Sequence, residues 1–422
     1  MPPPSSVLPE VISLGCRLNI AESETIRTLL GCRDAVVVNS CAVTNEAVAG
    51  TRRAIRRARR DRPDAELIVT GCAAQIDPQG FAAMPEVDRV VGNADKLLPE
   101  AWTGSEPVRV SDWDAVRRDT PHLAPAFAAH VRAFVEVQNG CDHRCTFCAI
   151  PFGRGPARSA PAGAVVARVA EVVAAGHREV VLTGVDLTSY GHDLPGQPSL
   201  GHLVERILTH VPALERLRLS SLDSIEIDDR LMALLTGEPR VLPHVHLSLQ
   251  AGSDLILKRM KRRHLRADAV AMVARLKARR PEIAIGADLI AGFPTEDAAM
   301  FADTLALLDD CDIVHAHIFP FSPRAGTPAA RMPQVNPAVA RERAATLRAR
   351  AATLRARAAE RRTEWLRRHV GTRQRVLVER PGDRGHAEAF AEVGLDRTMQ
   401  AGTIADVAIT AVEQDRLVGV AA

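Results

Sequence analysis

Six of the eight cysteines in this 422-residue chain stand where sulfur could act as a ligand. Three form one run, Cys141-Asp-His-Arg-Cys145-Thr-Phe-Cys148, with Cys-x3-Cys-x2-Cys spacing. Thiolates are soft ligands that suit zinc or iron–sulfur clusters. A structural zinc ion takes four protein ligands, and the run supplies three. His143 offers a fourth, but between two ligands in a tight loop its ring is expected to face solvent. Three thiolates on a four-iron cube leave one iron open to a small molecule.

The other three, Cys16, Cys41 and Cys72, are far apart in sequence but placed alike. Each directly follows a predicted strand: Val-Ile-Ser-Leu-Gly-Cys16, Val-Val-Val-Asn-Ser-Cys41 and Leu-Ile-Val-Thr-Gly-Cys72. Strand C-termini of a parallel sheet lie on one edge, where ligands bind. Three thiols on that edge can converge on one cluster, although small buried cysteines also pack at strand ends. Cys32 and Cys311 lack this placement and read as ordinary thiols.

The elements that must carry these residues form an α/β protein. Residues 11–15, 35–40, 67–71 and 87–92 read as strands, with helices at 21–30 and 44–60 between them. This alternation predicts a parallel sheet. Residues 99–129 read as a linker. From 131 to about 330 a strand–helix rhythm repeats six times, with strands at 131–138, 179–184, 216–221, 244–249, 283–292 and 313–320. Six such units predict a partial (β/α)6 TIM-like barrel, whose chemistry sits at the strand C-termini. By that rule Thr183, Gly184 and Asp186 after the second strand, Ser220 and Ser221 after the third and Gln250 after the fourth fall at the barrel mouth. Small polar residues there also cap turns. Residues 338–369 read as an Arg-rich helix with the heptad RAATLRA repeated at 343–349 and 350–356. Strand-like alternation at 373–379, 387–393, 403–411 and 416–421 predicts a small all-β, OB-like module. The expected boundaries are 1–110, 127–335, 336–369 for the connecting helix and 370–422.

Composition narrows the class. Hydrophobic residues make up 46% and charged residues 25%, which excludes a mainly disordered or fibrous chain. No segment reaches the uncharged length of a membrane span, and no secretory signal is visible, so a cytoplasmic protein is expected. The net charge is +3, from 54 basic and 51 acidic residues, and does not by itself demand a nucleic-acid partner. Lysine accounts for only Lys96, Lys258, Lys261 and Lys277, so Arg richness reads as a genome bias. Arg52, Arg53, Arg56, Arg57, Arg59, Arg60 and Arg62 crowd one helix, as a phosphate-contacting stripe or a solvated face. Arg373, Arg375, Arg380 and Arg384 are candidate phosphate contacts in the β module. Its only aromatic, Phe390, limits base stacking.

The run at 141–148 is the motif of the radical-SAM enzymes, which use S-adenosylmethionine (SAM). The chain resembles the radical-SAM methylthiotransferases along nearly its whole length. The matching stretches are LGCRLN (14–19), VNSCAVTNEA (38–47), GCAAQ (71–75), QNGCDHRCTFCAIPFGRGPARS (138–159), LTGVDLTSYG (182–191), LRLSSLDSIEID (217–228), HLSLQAGSDLILKRMKRRH (246–264), DLIAGFPTE (288–296) and HIFPFSPRAGTP (317–328). The resemblance implies an N-terminal cluster domain, a radical-SAM barrel and a C-terminal TRAM domain that binds RNA. It implies two [4Fe-4S] clusters, on Cys141, Cys145 and Cys148 and on Cys16, Cys41 and Cys72. It also implies SAM as radical source and methyl donor, and an electron donor such as flavodoxin or ferredoxin. The segments RGPARS and LTGVDLTSYG look like the branch that modifies C2 of threonylcarbamoyladenosine-37 in the tRNA anticodon loop. The other branches act on isopentenyladenosine-37 or on a ribosomal-protein aspartate, and a structural iron–sulfur or zinc protein is the non-enzyme alternative. Cys16 and Cys41 are closer in sequence than the family leads one to expect, because the first helix runs almost directly into the second strand through 31–34.

Overall fold

In the computed structural model, the residues described are 8–113, 131–332 and 356–421, with Ala345, Ala349 and Thr353. The first unit is a parallel sheet in the order β1 (Glu10–Ser13), β2 (Ala35–Ser40), β3 (Glu66–Gly71), β4 (Arg89–Val91) and β5 (Val108–Arg109). β2, Ala-Val-Val-Val-Asn-Ser, is buried throughout, as expected of a parallel strand covered on both faces. Val36 and Val38 pack with Ile55 and Phe81. Val37 turns the other way, to Ile26, Leu30 and Trp102. Helix α1 (Arg17–Leu30) follows β1, α2 (Asn45–Asp61) follows β2, and α3 (Cys72–Ile76) follows β3. Thr44 Oγ1 accepts from Ala47 N and fixes the start of α2.

The stretch expected as a linker is only partly one. It holds the helix Glu100–Thr103 and the edge strand β5. Trp102 is fully buried and donates Nε1–H to the Lys96 carbonyl at 2.8 Å. A large aromatic with a satisfied N–H anchors the segment against the sheet. Residues 114–129 of that stretch lie outside the described residues, as does most of the heptad repeat at 343–356.

The second unit opens with β6 (Arg132–Glu136) and a short antiparallel ribbon, β7 (Gln138–Asn139) with β8 (Arg158–Ser159), that brackets the cysteine run. It continues through β9 (Glu179–Thr183), β10 (Arg216–Leu219), β11 (His244–Gln250), β12 (Ala284–Ala291) and β13 (Ile313–Pro320). These form two parallel sheets, β6-β9-β10 and β11-β12-β13. Parallel bridges Leu217–Val241 and Leu222–Leu247 join them. The six barrel strands therefore follow in chain order. Val180, Leu182, Leu217, Leu247 and Ile285 lie in one continuous core with Val165, Leu203 and Leu276 of the covering helices.

The third unit is a closed barrel in the order β14 (Arg373–Glu379), β15 (Arg384–His386), β16 (Glu392–Leu395), β18 (Arg416–Ala421) and β17 (Ile404–Glu413). Along β17, Ala405, Val407 and Ile409 point inward between exposed neighbours. The strand expected at 387–393 is interrupted: β15 ends at His386 and β16 begins at Glu392, and Phe390 between them has φ +70°. This turn docks on the N-terminal ends of the large barrel's strands. Arg218 Nη2 donates to the Glu388 carbonyl at 3.1 Å, and Arg132 pairs with Glu379 at 2.5 Å. The Phe390 ring lies 4.8 Å below Arg218 and 5.1 Å from the His244 ring. It is committed to this interface rather than free to stack on a base.

Candidate active site

The second triplet is assembled by the first sheet. Gly15 bends the chain after β1 with φ +99°, and a Cβ there would lie 2.8 Å from Cys41 Sγ. Only glycine lets the Cys16 turn come this close. Cys16 is the N-cap of α1, Cys41 follows β2, and Cys72 is the first residue of α3. Ser40 Oγ accepts from Ala73 N and Ala74 N at 3.2 Å each, tying the end of β2 to the helix that carries Cys72. Asn93 Nδ2 reaches Cys72 Sγ at 3.3 Å and the Gly153 carbonyl at 2.6 Å. Burial pushes the Cys41 thiol up to about 11, with Cys72 and Cys16 close enough to add to the shift.

The first triplet sits on the loop between β7 and β8. Gly140, with φ +72°, precedes it, and a Cβ there would lie 1.9 Å from the Pro156 carbonyl oxygen. The loop is pinned by Thr146 N to Met260 O at 3.1 Å, Cys148 N to Cys145 O at 3.1 Å and Ile150 N to Cys148 Sγ at 3.4 Å. Burial pushes Cys148 up to about 12, and Cys145 and Cys72 both add to it. Each triplet therefore lies within the other's electrostatic reach. Iron ligation must displace these thiol protons.

His143 departs from expectation. Its Nε2 lies 2.8 Å from Asp186 Oδ2, and its ring is only partly exposed. The carboxylate draws the imidazole inward. Asp186 also accepts from Ser189 Oγ at 2.7 Å, lies 3.7 Å from Cys141 Sγ, and donates its N–H to Gln138 Oε1 at 2.9 Å. It braces the cysteine loop and does not line the cavity beside it.

That cavity, of about 690 Å³, is lined by Cys16, Cys41 and Cys72. Thr183, Gly184, Ser220, Ser221 and Gln250 line it from the strand ends. Gln250 takes φ +69° where β11 ends, and Ser220 Oγ is buried with no hydrogen-bond partner among the described residues. A buried hydroxyl without a partner is costly unless a ligand satisfies it. Phe147, Ile150, Phe319 and Phe321 give the cavity apolar walls.

One buried network escaped sequence reasoning. Arg154 donates Nη1 to Glu22 Oε1 at 2.9 Å and Nη2 to Asn19 Oδ1 at 2.7 Å. Lys96 Nζ reaches the other Glu22 oxygen at 2.6 Å. Burial alone would raise the Glu22 carboxyl, but Arg154 and Lys96 outweigh it and hold it at about 2. Glu136 lies nearby. Burial first, then Glu22, lifts it to about 8. The motif segments around Cys16 and Cys148, together with Lys96 of the first unit, thus share one ion cluster. Arg154 stands in the quoted RGPARS segment, but nothing in an Arg-rich composition marks which arginine is buried. The arginines of α2 and its C-cap are mostly committed: Arg52, Arg53, Arg56, Arg57 and Arg59, and Arg62 at the cap, each face a carboxylate. This matches a solvated face.

Residues 135–308 match the radical SAM superfamily, and residues 10–92 match a family described as uncharacterized protein family UPF0004. The chain is 45% identical to the threonylcarbamoyladenosine tRNA methylthiotransferase MtaB of Rickettsia prowazekii, over 96% of this chain and 95% of that protein. The chain belongs to the radical-SAM methylthiotransferase family. The Bacillus subtilis protein of the same name is 35% identical over 79% of this chain and 78% of its own length. A tRNA-2-methylthio-N(6)-dimethylallyladenosine synthase of Sorangium cellulosum is 34% identical over 92% of this chain and 85% of its own. The fold is shared with a radical S-adenosylmethionine methyltransferase, TsrM, from Kitasatospora setae: TM-score 0.54, 16% identity, 70% of this chain and 66% of that one. A methylthiotransferase of this superfamily uses SAM and a [4Fe-4S] cluster. The three thiols at 141–148 and the unpartnered Ser220 hydroxyl suit that pair in number and chemistry. Among the described residues no helix is long and apolar enough to cross a membrane.

Proposed function

We propose that this enzyme adds a methylthio group at C2 of threonylcarbamoyladenosine-37 in tRNA. The observation that carries the chemistry is a single cavity lined both by one thiol triplet and by the strand-end polar residues. The 45% identity to a protein named for that tRNA nucleoside, over nearly both whole chains, supports the substrate.

In this reading Cys141, Cys145 and Cys148 hold one [4Fe-4S] cluster, and Cys16, Cys41 and Cys72 hold a second. Thr183, Gly184, Ser220, Ser221 and Gln250 hold SAM. The chemistry these groups supply when bound is one-electron cleavage of SAM and delivery of sulfur and methyl to a C–H carbon, which no side-chain acid or base achieves at C2 of adenine. The chain's own work is placement and shielding. The Asp186–His143 contact braces the first loop. Arg154 ties the barrel unit to helix α1 of the first unit, which holds the two triplets in a fixed relation. Phe319 and Phe321 keep water from the cavity wall. The third unit contacts RNA as a TRAM domain, the electron comes from a flavodoxin or ferredoxin, and the enzyme works in the cytoplasm.

Mass spectrometry of tRNA nucleosides tests this. Deleting the gene is expected to abolish the methylthio-threonylcarbamoyl nucleoside, and complementation to restore it. Loss of the methylthio-isopentenyl nucleoside instead would move the enzyme to the sister branch.

A further inference from the structure

Arg17 lines the cavity beside Cys16 without serving either thiol triplet. Its guanidinium centre lies 5.7 Å from the centre of the Phe390 ring, within cation–π range. The arginines around it are paired, Arg132 with Glu379 and both Arg216 and Arg218 with Glu179. Arg17 has no ion pair and no side-chain hydrogen bond among the described residues. The two carboxylates in its field, Glu179 and Asp288, are both already engaged, Glu179 by Arg216 and Arg218. Asp288 Oδ1 accepts from His246 Nε2 at 3.0 Å and from His317 Nδ1 at 3.2 Å.

Arg17 remains charged at neutral pH. Neither helix nor cluster accounts for it. It is the first residue of α1, where the helix dipole opposes a cation. The arginine whose charge bears on Cys16 and Cys41 is Arg154. His246, Asp288 and His317 line the same cavity, and the His317 side chain is 62% exposed. With Nδ1 held by Asp288, His317 leaves its Nε2 free of that carboxylate.

We propose that Arg17 is a specificity residue that binds the threonyl carboxylate of the substrate nucleoside, with the Asp288-held His317 hydrogen-bonding its hydroxyl. This rests on the threonylcarbamoyl reading and names the subsite that makes it selective. A half-buried guanidinium with no ion pair among the described residues discriminates because a substrate without the anion leaves the charge unmet.

The test uses the reconstituted full-length holoenzyme with anticodon stem-loops carrying threonylcarbamoyladenosine, its methyl ester, or isopentenyladenosine at position 37. Wild-type enzyme is expected to prefer the free acid to the ester by about tenfold or more in kcat/KM. Arg17→Gln is expected to remove that preference, mainly through KM for the RNA, and Arg17→Lys to restore part of it. Equal turnover of acid and ester by wild-type enzyme overturns the proposal and needs no variant. So does an Arg17→Gln effect that is equal on acid and ester, or that falls on KM for SAM or on iron content. Arg17→Met repeats the comparison if the Gln variant does not fold. Wild-type turnover of the isopentenyl loop alone defeats the functional reading itself, and is seen before any variant is made.

Discussion

The two thiol triplets reach similar donor sets by opposite routes. Cys141, Cys145 and Cys148 lie on one loop, closed by the β7–β8 ribbon. Cys16 and Cys72 are 56 positions apart (72 − 16), and three strand ends of one sheet bring them to Cys41. The loop triplet depends on short-range spacing and one glycine turn. The sheet triplet depends on parallel register and on packing that extends to Arg154 in the next unit. The sheet triplet is therefore the more exposed to remote mutations, and the loop triplet the more self-contained.

Cysteine replacement tests the comparison most severely. Cys148→Ala is expected to end 5′-deoxyadenosine formation and to remove about half of roughly eight irons per chain. Cys72→Ala is expected to remove a similar amount of iron and all methylthio product while SAM cleavage continues. If both variants lose SAM cleavage alike, the triplets do not have separate roles.

Arg154→Met leaves Glu22 with Lys96 as its only strong partner. Breaking such a buried pair costs about 3–5 kcal/mol, to be read as a lower Tm. Iron loss at the sheet triplet should exceed that at the loop triplet. Gly15→Ala and Gly140→Ala each force a side chain into a left-handed turn against neighbouring atoms. Each is expected to cost about 1–3 kcal/mol and to lower iron only at its own triplet, by spectroscopic titration.

Glu136 predicts a smaller, pH-dependent effect. Its folded pKa of about 8 lies above its ordinary 4.5. Between these values the folded state binds the extra proton, so stability from this group falls as pH rises through the window. Glu136→Gln should flatten that fall in a melting series from pH 5 to 8. Glu22 runs the other way. Its pKa is depressed, so its contribution is lost only as pH drops from about 4.5 toward about 2. Arg57→Gln, on the solvated face of α2, should change stability by less than about 0.5 kcal/mol.

Much of this was legible from local pattern. The strands β2 and β13 fall where apolar runs placed them, β2 buried throughout and β13 buried only at Ile313 and Val314, with turn residues marking their ends. The short Cys16–Cys41 spacing is accommodated as expected, with α1 ending at Leu30 and β2 starting at Ala35. The interruption at 387–391 was not legible, since Ala387, Ala389 and Ala391 are buried like strand residues. They fill the barrel core while the Phe390 turn docks outward.

By itself the sequence determined which residues are soft ligands, the spacing of the loop triplet and the order of strands and helices, all set by chemistry within a few residues. Only the tertiary structure decided that Asp186 braces a loop, that Arg154 is buried, that His143 turns inward and that Arg17 has no ion pair among the described residues. Those outcomes depend on which charges meet after packing excludes water. A guanidinium has the same local sequence signature in a salt bridge, in solvent or in a cavity, and only its long-range neighbours tell these apart.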